Sequence, residues 1–369
     1  MPTFTPISQG FISIRQSGTP TAMPSGPRCA VTLDGEVVCS FIVQAASGLN
    51  DFKPMLARSA DGGVTWKEQG LLWPHLQDRY SIFGSVSRAP KGELFFYGSR
   101  TPIGTPGESF WCDATQGLKQ NELIWARSVD GGRTWSDPAP IPMPIPGSAE
   151  APGALCVARD GTWHACYAPY NTFDSGLAVD RSQIVHLRSA DQGATWRHAS
   201  MLRFPNPHFT GAEAWVVELA DGRLLGVCWN LNQEDGSDFP NVYALSLDGG
   251  KSWTPTRSTG IRGQSTALAA LPEGGALFAY NQRKHGEVGV WLAGVDPVPE
   301  TFGVRFNEIV WRAAKPTVRS GDTAHSNWTD FAFGEPSVAL LPDGHLLVAF
   351  WCIQPDGRGI RYVKGCLSC

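Results

Sequence analysis

The chain has 369 residues, of which 42% are hydrophobic and only 17% are charged, with 41 Gly and 28 Pro. This balance is typical of an all-β protein with many short strands joined by tight turns. The formal net charge is −4, and the sequence has neither a run of Lys or Arg nor a stretch of about 18 apolar residues, which argues against nucleic acid and membrane partners.

The N-terminus and the cysteines bear on localisation. Residues 1–15 have no basic segment followed by an apolar core, so no secretory signal is predicted. Nine cysteines are an odd number, which favours a reducing, cytoplasmic setting. Cys366 and Cys369 form a C-x-x-C, but a structural zinc needs four ligands and no second pair has suitable spacing. We therefore predict neither a metal nor a cofactor.

The first of two internal repeats has the pattern S-x-D-x-G-x-T/S-W. It occurs four times in chain order: Ser59–Trp66, Ser128–Trp135, Ser189–Trp196 and Ser246–Trp253. Its Asp, Ser and Thr side chains suit bonds to turn backbone, Gly permits the turn, and Trp packs into the sheet. The pattern predicts a structural turn rather than a catalytic group.

The second repeat is a short apolar strand, an x-Gly dipeptide and another apolar strand. Gly supplies the positive φ that a hairpin turn needs. The six dipeptides are Asp34-Gly35, Lys91-Gly92, Asp160-Gly161, Asp221-Gly222, Glu273-Gly274 and Asp343-Gly344. Six hairpins at this spacing predict six four-stranded blades, and hence a single six-bladed β-propeller over residues 1–369.

The two repeats also orient the blades. The S-x-D repeats fall where third and fourth strands meet, in blades 1 to 4. If both kinds of turn lie at one end of the propeller, functional residues should lie at the other end. They are expected about six to ten residues before each x-Gly turn, or just after the second strand.

The S-x-D-x-G-x-T/S-W repeats (Asp boxes) and the six hairpins resemble the sialidase-like (BNR repeat) superfamily over nearly the whole chain. In sialidases an Arg at the start of blade 1 binds the substrate carboxylate, and an Asp ahead of the first Asp box is the general acid/base. Arg28 and Asp51 occupy these places. The resemblance therefore implies an acid/base role for Asp51.

Later blades match the family in part. Glu213 takes the place of the Glu that opens blade 4, and Arg283 is nearest to the third Arg of the family. The second Arg is missing, because Trp229 stands where it is expected. In blade 6, Glu335 occupies the place of the nucleophilic Tyr.

The spacing of these residues predicts that they meet. Glu213 and Glu335 lie eight residues before their x-Gly turns, Glu150 lies ten before and Arg28 six before. These even offsets, with the period of two in a strand, place the four side chains at corresponding orientations on the innermost strands. A cluster of carboxylates is hard to explain as core, because buried Glu is costly unless paired.

Two carboxyl groups suit glycoside hydrolysis. An anionic Glu335 would repel a carboxylate at the anomeric carbon, so the predicted substrate is an aldose, or a uronic acid held by Arg28 or Arg283. A Glu150 and Glu213 pair would resemble propeller exo-arabinanases. Further candidate substrate-binding residues are, by position or aromatic character, Trp229, Tyr170, His285 and Arg361.

Four functions stay open from the sequence. The first is an exo-glycoside hydrolase that releases a terminal sugar other than sialic acid. The second is a true exo-α-sialidase. The third is a uronate-specific lyase, in which His285 or Tyr170 is the base candidate. The fourth is a carbohydrate-binding propeller without catalysis. All four predict a carbohydrate partner.

Overall fold

The structure is a computed structural model that describes residues 3–206, 208–317 and 331–368. Six antiparallel sheets form the blades of a β-propeller, as the sequence predicted. The only helical element in the described ranges is the 3₁₀ turn Pro74–Leu76. Within those ranges, no helix is long and apolar enough to cross a membrane.

The strands are numbered in chain order. The first, β1 (Thr3–Ile14), belongs to blade 6. Blade 1 contains β2 (Met23–Val31), β3 (Val37–Gln44), β4 (Lys53–Ser59) and β5 (Lys67–Leu71). Blade 2 contains β6 (Tyr80–Arg88), β7 (Leu94–Pro102), β10 (Glu122–Ser128) and β11 (Ala139–Ile141). An insert in blade 2 forms a small sheet of its own, from β8 (Trp111–Cys112) and β9 (Gly117–Leu118).

Blade 3 contains β12 (Ser148–Glu150), β13 (Cys156–Val157), β14 (Trp163–Tyr170), β15 (Gln183–Ser189) and β16 (Arg197–Arg203). Blade 4 contains β17 (Phe209–Glu218), β18 (Leu224–Asn232), β19 (Pro240–Ser246) and β20 (Arg257–Arg262). Blade 5 contains β21 (Gln264–Ala270), β22 (Ala276–Gln282), β23 (Gly289–Val295) and β24 (Val304–Arg312). Blade 6 contains β25 (Phe333–Leu340), β26 (Leu346–Gln354), β27 (Gly357–Ser368) and β1.

Both repeats lie where the sequence placed them. Each x-Gly turn joins the first and second strands of a blade, and its Gly has a φ between 82° and 111°. Each S-x-D repeat joins the third and fourth strands of blades 1 to 4. We call the end of the propeller that carries these turns the lower face, and the opposite end the upper face.

The chain closes the propeller by pairing its two ends. Strand β1 pairs antiparallel with β27, from Thr3 opposite Ser368 to Ile14 opposite Gly359. The outer strand of blade 6 therefore comes from the N-terminal part of the chain and not from a hairpin. This explains why blade 6 lacks the S-x-D turn: no turn connects its third and fourth strands.

The blades pack against one another through apolar strands that are buried on both sides. Every residue of β3 is buried, including the polar Ser40 and Gln44. Between blades 2 and 3, Trp163 packs edge-on against Phe95 and Trp125, with ring centroids 4.7 and 4.8 Å apart. This packing fixes each inner strand, and with it the side chains at the upper face.

Candidate active site

A cavity of about 950 Å³ opens at the upper face, where the first strands of the blades begin. Six of the ten predicted site residues line it: Glu150, Glu213, Glu335, Tyr170, Trp229 and Arg283. The other four do not line it: Arg28, Asp51, His285 and Arg361. Its size is at the upper end of the range for small-molecule sites.

Two of the lining carboxyl groups, those of Glu213 and Glu335, reach the cavity through a β-bulge that recurs in four blades. One residue at each bulge has a left-handed backbone, with φ of 53° at Gly26, 50° at Glu213, 52° at Ser265 and 49° at Glu335. Strand pairing shifts by one residue beside each of them. A bulge redirects a side chain, and the backbone strain of a non-Gly residue there, of order 1 to 3 kcal/mol, is typical of functional sites.

Glu213 is the bulge residue of blade 4. Its Oε1 accepts a hydrogen bond from Ser265 Oγ (2.8 Å), and its backbone carbonyl accepts one from Thr266 Oγ1 (2.7 Å). Its Oε2 is buried and has no hydrogen-bond partner among the described residues. Burial, and then the charge of Glu335, raise the pKa of Glu213 to about 7.

Glu335 is the bulge residue of blade 6. Its Oε2 accepts a hydrogen bond from the backbone N–H of Gly26 (2.7 Å), and its backbone carbonyl accepts one from Arg28 Nη1 (3.0 Å). Burial raises the pKa of Glu335, while the charge of Arg28 and hydrogen bonds from Gly26 and Trp351 oppose that rise. Arg28 is only 2% exposed, and its guanidinium stacks on the ring of Trp215. It is therefore packed behind Glu335 and holds the backbone of that residue in place.

Glu150 lies beside Glu213. Its Oε2 accepts a hydrogen bond from the Glu213 N–H (2.9 Å), which fixes the bulge of blade 4 from blade 3. Burial, and then Glu213, raise the pKa of Glu150 well above its ordinary value. Asn121 holds the preceding residue, Ala149, by donating to its carbonyl (2.9 Å) and accepting from its N–H (2.8 Å).

Arg283 and Asn281 connect blades 5 and 6. With its amide oxygen turned toward the surrounding donors, Asn281 accepts hydrogen bonds from Arg283 Nη2 (3.0 Å) and the N–H of Glu335 (3.2 Å). Arg283 Nε donates to the carbonyl of Phe333 (3.0 Å). Burial lowers the pKa of Arg283 to about 10, so the side chain remains cationic near neutral pH.

Asp51 lies at the upper end of blade 1, between β3 and β4, but its carboxyl group does not line the cavity. Its Oδ2 accepts hydrogen bonds from the N–H of Ala45 (3.0 Å) and from Lys53 Nζ (3.1 Å). Asp51 therefore stays outside the lining that Glu213 and Glu335 share, although the nearby Ser47 and Phe52 belong to it.

Trp229 and His285 meet at Asp238, whose side chain is fully buried. Trp229 Nε1 donates to Asp238 Oδ1 (3.1 Å), and Gln264 Nε2 donates to Oδ2 (2.6 Å). His285 Nε2 lies 3.1 Å from the same Oδ2. Asp238 thereby orients Trp229 at the cavity wall and holds His285 outside it.

Tyr170 lines the cavity beneath Arg181, whose guanidinium lies 4.7 Å from the ring centroid. Burial raises the pKa of Tyr170 to about 12, which makes it a poor base near neutral pH.

Arg361 lies away from the cavity, where its Nη1 donates to Asp356 Oδ2 (2.7 Å). It also contacts the ring of Phe11 in β1, so Arg361 supports the closure of blade 6.

Several polar residues that contact the predicted ones were not indicated by the sequence, among them Ser265, Asn281, Asp238 and Arg181. Ser265 carried a usable signal, because it lies eight residues before Glu273 as Glu213 and Glu335 do before their own turns. The other three act on residues of other strands or blades, and no local pattern reveals such contacts.

The described ranges of the chain also bear on metal binding. No group of three or more His, Cys, Asp or Glu there could hold a metal ion. Cys366 is a free thiol, and its C-x-x-C partner Cys369 lies outside the described residues.

Comparison with known proteins identifies similar chains. The family model for the BNR repeat-like domain matches residues 109–320, more than half of the chain. A sialidase of Bacteroides fragilis (strain YCH46) is 26% identical over 224 residues. That match covers 55% of this chain but only 37% of the sialidase, so much of that protein has no counterpart in the match.

Three solved structures share the fold over almost the whole chain. A Dyadobacter fermentans protein of unknown function has a TM-score of 0.75 at 19% identity, with both chains fully covered. The Hadza microbial sialidase Hz136 has a TM-score of 0.68 at 17% identity, over 95% of this chain and 67% of its own. A Penicillium chrysogenum α-L-arabinanase, complexed with arabinobiose, has a TM-score of 0.63 at 16% identity, over 98% of each chain.

Proposed function

This chain belongs to the BNR repeat-like family of sialidase-like propellers, and on that premise we propose that it is an exo-acting glycoside hydrolase. It releases a terminal aldose or uronic acid rather than sialic acid. The named relatives support the reaction class, since they include a sialidase and an arabinanase that share the fold. The choice of sugar is argued from the residues of the cavity.

One observation carries the proposal: Glu213 and Glu335 share a cavity, and their surroundings differ. Glu213 has few donors and a pKa raised to about 7 by burial and by Glu335, so it holds a proton close to neutral pH. Burial also raises the pKa of Glu335, but its carboxylate accepts the N–H of Gly26, and the charge of Arg28 opposes the rise more strongly than it does at Glu213. Two carboxyl groups in such different surroundings suit an acid and a nucleophile or base.

The proposed roles follow from these environments. Glu213 is the general acid and protonates the leaving oxygen, with the proton on Oε2 because Oε1 already accepts from Ser265. Glu335 acts on the anomeric carbon as nucleophile, or activates water as base. The acid/base role that the sequence assigned to Asp51 thus passes to Glu213, and Glu150 positions Glu213 through its backbone N–H.

The preference for a sugar other than sialic acid follows from charge. Glu335 stands where sialidases have a Tyr, and a carboxylate there repels a substrate carboxylate at the anomeric carbon. Trp229, held by Asp238, occupies the place of a carboxylate-binding Arg. Arg283 lines the cavity and can pair with a carboxylate elsewhere on a uronic acid.

The experiment is a screen of chromogenic glycosides of aldoses, uronic acids and sialic acid, with ultraviolet detection of unsaturated products. We expect release from an aldoside or uronide and a loss of about 10³-fold or more in Glu213→Gln. Release from the sialoside would identify a sialidase, and an unsaturated product a lyase. Sugar binding without turnover would identify a binding propeller.

Asp51→Asn distinguishes the two candidate acids. Because its carboxyl group lies outside the cavity, we expect this variant to keep turnover within about tenfold of the unmodified protein. A loss as large as that of Glu213→Gln would return the acid/base role to Asp51.

A further inference from the structure

Two cysteines face each other across the first two strands of blade 1. Cys29 of β2 lies directly opposite Cys39 of β3 in the antiparallel register. In the same ladder the N–H of Thr32 donates to the carbonyl of Glu36 (2.8 Å), so these two residues form a hydrogen-bonded pair. Hydrogen-bonded and non-hydrogen-bonded pairs alternate along an antiparallel ladder. Cys29 and Cys39, three residues further along each strand, are therefore a non-hydrogen-bonded pair.

This placement brings the two sulfur atoms close enough to bond. The Cα atoms of a non-hydrogen-bonded pair are about 4.5 Å apart, which lies within the range of about 4.4 to 6.8 Å that disulfides span. Both side chains are on the same face of the sheet, and a hydrogen bond joins the two thiols. Both cysteines are free in this structure. A disulfide can therefore form here without a rearrangement of the strands.

The two thiols differ in how solvent reaches them. Cys29 is partly exposed, whereas Cys39 is completely buried. Burial, and then the hydrogen bond with Cys29, raise the pKa of Cys39 well above its ordinary value. Because the thiolate is the reactive form, Cys39 is a poor first target for an oxidant, and Cys29 is the thiol that an oxidant in solution meets first.

The pair lies beside residues that hold Glu335. Arg28, next to Cys29 in the chain, donates from Nη1 to the carbonyl of Glu335 (3.0 Å). The N–H of Gly26, at the bulge of the same strand, donates to Glu335 Oε2 (2.7 Å). A covalent bond that draws Cys29 toward Cys39 therefore shifts the strand that makes both contacts.

We propose that Cys29 and Cys39 are a modification site, which a peroxide closes to a disulfide and which lowers turnover when it is closed. The effect on turnover rests on the proposed function. The disulfide itself rests only on the positions of the two thiols.

The reaction needs one peroxide and both thiols. The Cys29 thiolate attacks one oxygen of the peroxide, the O–O bond breaks, and the second oxygen leaves as hydroxide, which takes up the proton that Cys29 gave up. The Cys39 sulfur then attacks the sulfenic acid formed at Cys29. The S–S bond forms, the S–O bond breaks, and the leaving hydroxide takes the proton of Cys39. Two waters result, and a dithiol reductant restores both thiols.

The test treats the whole protein with hydrogen peroxide, alkylates the remaining thiols in denaturant and digests the protein with trypsin. Cleavage after Arg28 and Arg58 releases one peptide, residues 29–58, with both cysteines and no other, since Lys53 precedes a proline. We expect this peptide to become lighter by two hydrogens and to take up no alkyl group, and dithiothreitol to restore two alkylation sites. Two alkyl groups after peroxide, or sulfinic acid at Cys29 without a link, would overturn the site.

The same samples report on turnover. With the best glycoside of the screen, kcat should fall about tenfold in the oxidised protein and recover with dithiothreitol, because a small displacement of a catalytic group is costly. Cys29→Ser and, at the buried position, Cys39→Ala should keep the turnover of the reduced protein and lose the response to peroxide. Cys112→Ser removes another partly exposed thiol, which lies opposite Gly117 and not opposite a cysteine, and should keep the response.

The outcomes separate the disulfide, its effect and the hydrolase. A disulfide that leaves kcat unchanged would overturn the coupling to Glu335. A loss of turnover that persists in Cys29→Ser and Cys39→Ala would place the target of the peroxide elsewhere and overturn the coupling as well. If the unmodified protein cleaves no glycoside, the proposed function fails, while the mass of the peptide still decides whether the disulfide forms.

Discussion

Carboxylates at the two faces of this propeller have opposite surroundings. At the lower face, Asp61 accepts hydrogen bonds from the hydroxyl and N–H of Thr65 and from the hydroxyl of Ser59, and these bonds lower its pKa to about 2. At the upper face, Glu213 is buried, accepts one side-chain hydrogen bond from Ser265, and has its pKa raised to about 7. The lower face thus stabilises the ionised form of Asp61, and the upper face destabilises the ionised form of Glu213.

The two faces of the propeller use the repeat in different ways. The four lower-face turns repeat the same Ser, Asp and Gly geometry, with the Ser hydroxyl donating to Asp Oδ1 at 2.7 to 2.9 Å each time. The four upper-face bulges repeat only the backbone, while their residues are Gly, Glu, Ser and Glu. Repeated side chains serve stability, and side chains that differ on a repeated backbone serve chemistry.

The largest expected effect is at the upper face. Glu335→Gln keeps the shape of the side chain but removes its charge, and turnover should fall by several orders of magnitude, about 10³-fold or more. The melting temperature should stay close to that of the unmodified protein. Steady-state kinetics and thermal unfolding measure the two quantities.

A surface carboxylate provides the control for this variant. Glu122→Gln changes a residue of blade 2 whose carboxylate pairs with Arg100 away from the cavity lining, and it should leave turnover unchanged. Near-normal turnover in Glu335→Gln would make Glu335 a structural carboxylate, and Glu150 with Glu213 would become the better pair.

At the lower face we expect a smaller effect, on stability and not on turnover. Asp130→Ala removes the bonds that Asp130 accepts from the N–H groups of Arg133 and Thr134 (3.0 and 2.9 Å). We expect a loss of about 1 to 3 kcal/mol in the free energy of unfolding, with kcat unchanged. Asp137→Ala, at a side chain that is 80% exposed, should stay within about 0.5 kcal/mol. Normal stability with lost turnover in Asp130→Ala would reverse the assignment of the two faces.

The smallest effect concerns how Ser265 adjusts Glu213. Its hydroxyl donates to Glu213 Oε1 and favours the ionised form, so Ser265→Ala should raise the pKa of Glu213. The basic limb of the pH–rate profile should therefore move to higher pH, by about half a unit to one unit. Ser337→Ala is the control, since the buried Ser337 hydroxyl has no hydrogen-bond partner in the described part of the chain. A shift in both variants, or in neither, would remove Ser265 from this role.

Much of the fold was predictable because its signals are local. The x-Gly turns need positive φ and the S-x-D repeats satisfy their own backbone, so each is recognisable within about eight residues. The closure of blade 6 was not predictable in this way, because the pairing of β1 with β27 joins the two ends of the chain.

The residues of the site were predictable only in part. Even spacing named Glu213 and Glu335 correctly, but the backbone geometry that brings them to the cavity differs from the one expected. Even spacing led us to expect Glu213 and Glu335 on one face, and both line the cavity. They reach it through bulges with left-handed backbone, which interrupt the alternation on which that argument relied. Arg28 also lies an even number of residues before its x-Gly turn, but its side chain is buried behind Glu335 and does not line the cavity. Neither the left-handed backbone of Glu213 nor its contact with Glu150 can be recognised from the neighbouring sequence.

The pH dependence of stability reports whether Glu213 is protonated near neutral pH, as its proposed role as general acid requires. Its pKa is raised from 4.5 to about 7 by folding, so its contribution to stability is present below 4.5 and is lost as pH rises through 7. Glu213→Gln removes this loss. We compare the unfolding free energy of the variant with that of the unmodified protein at each pH. We predict that the variant gains about 1 to 3 kcal/mol relative to the unmodified protein between pH 4.5 and 7, and that the difference stays constant above pH 7. A difference that stays constant with pH, or that shrinks as pH rises, would contradict the account.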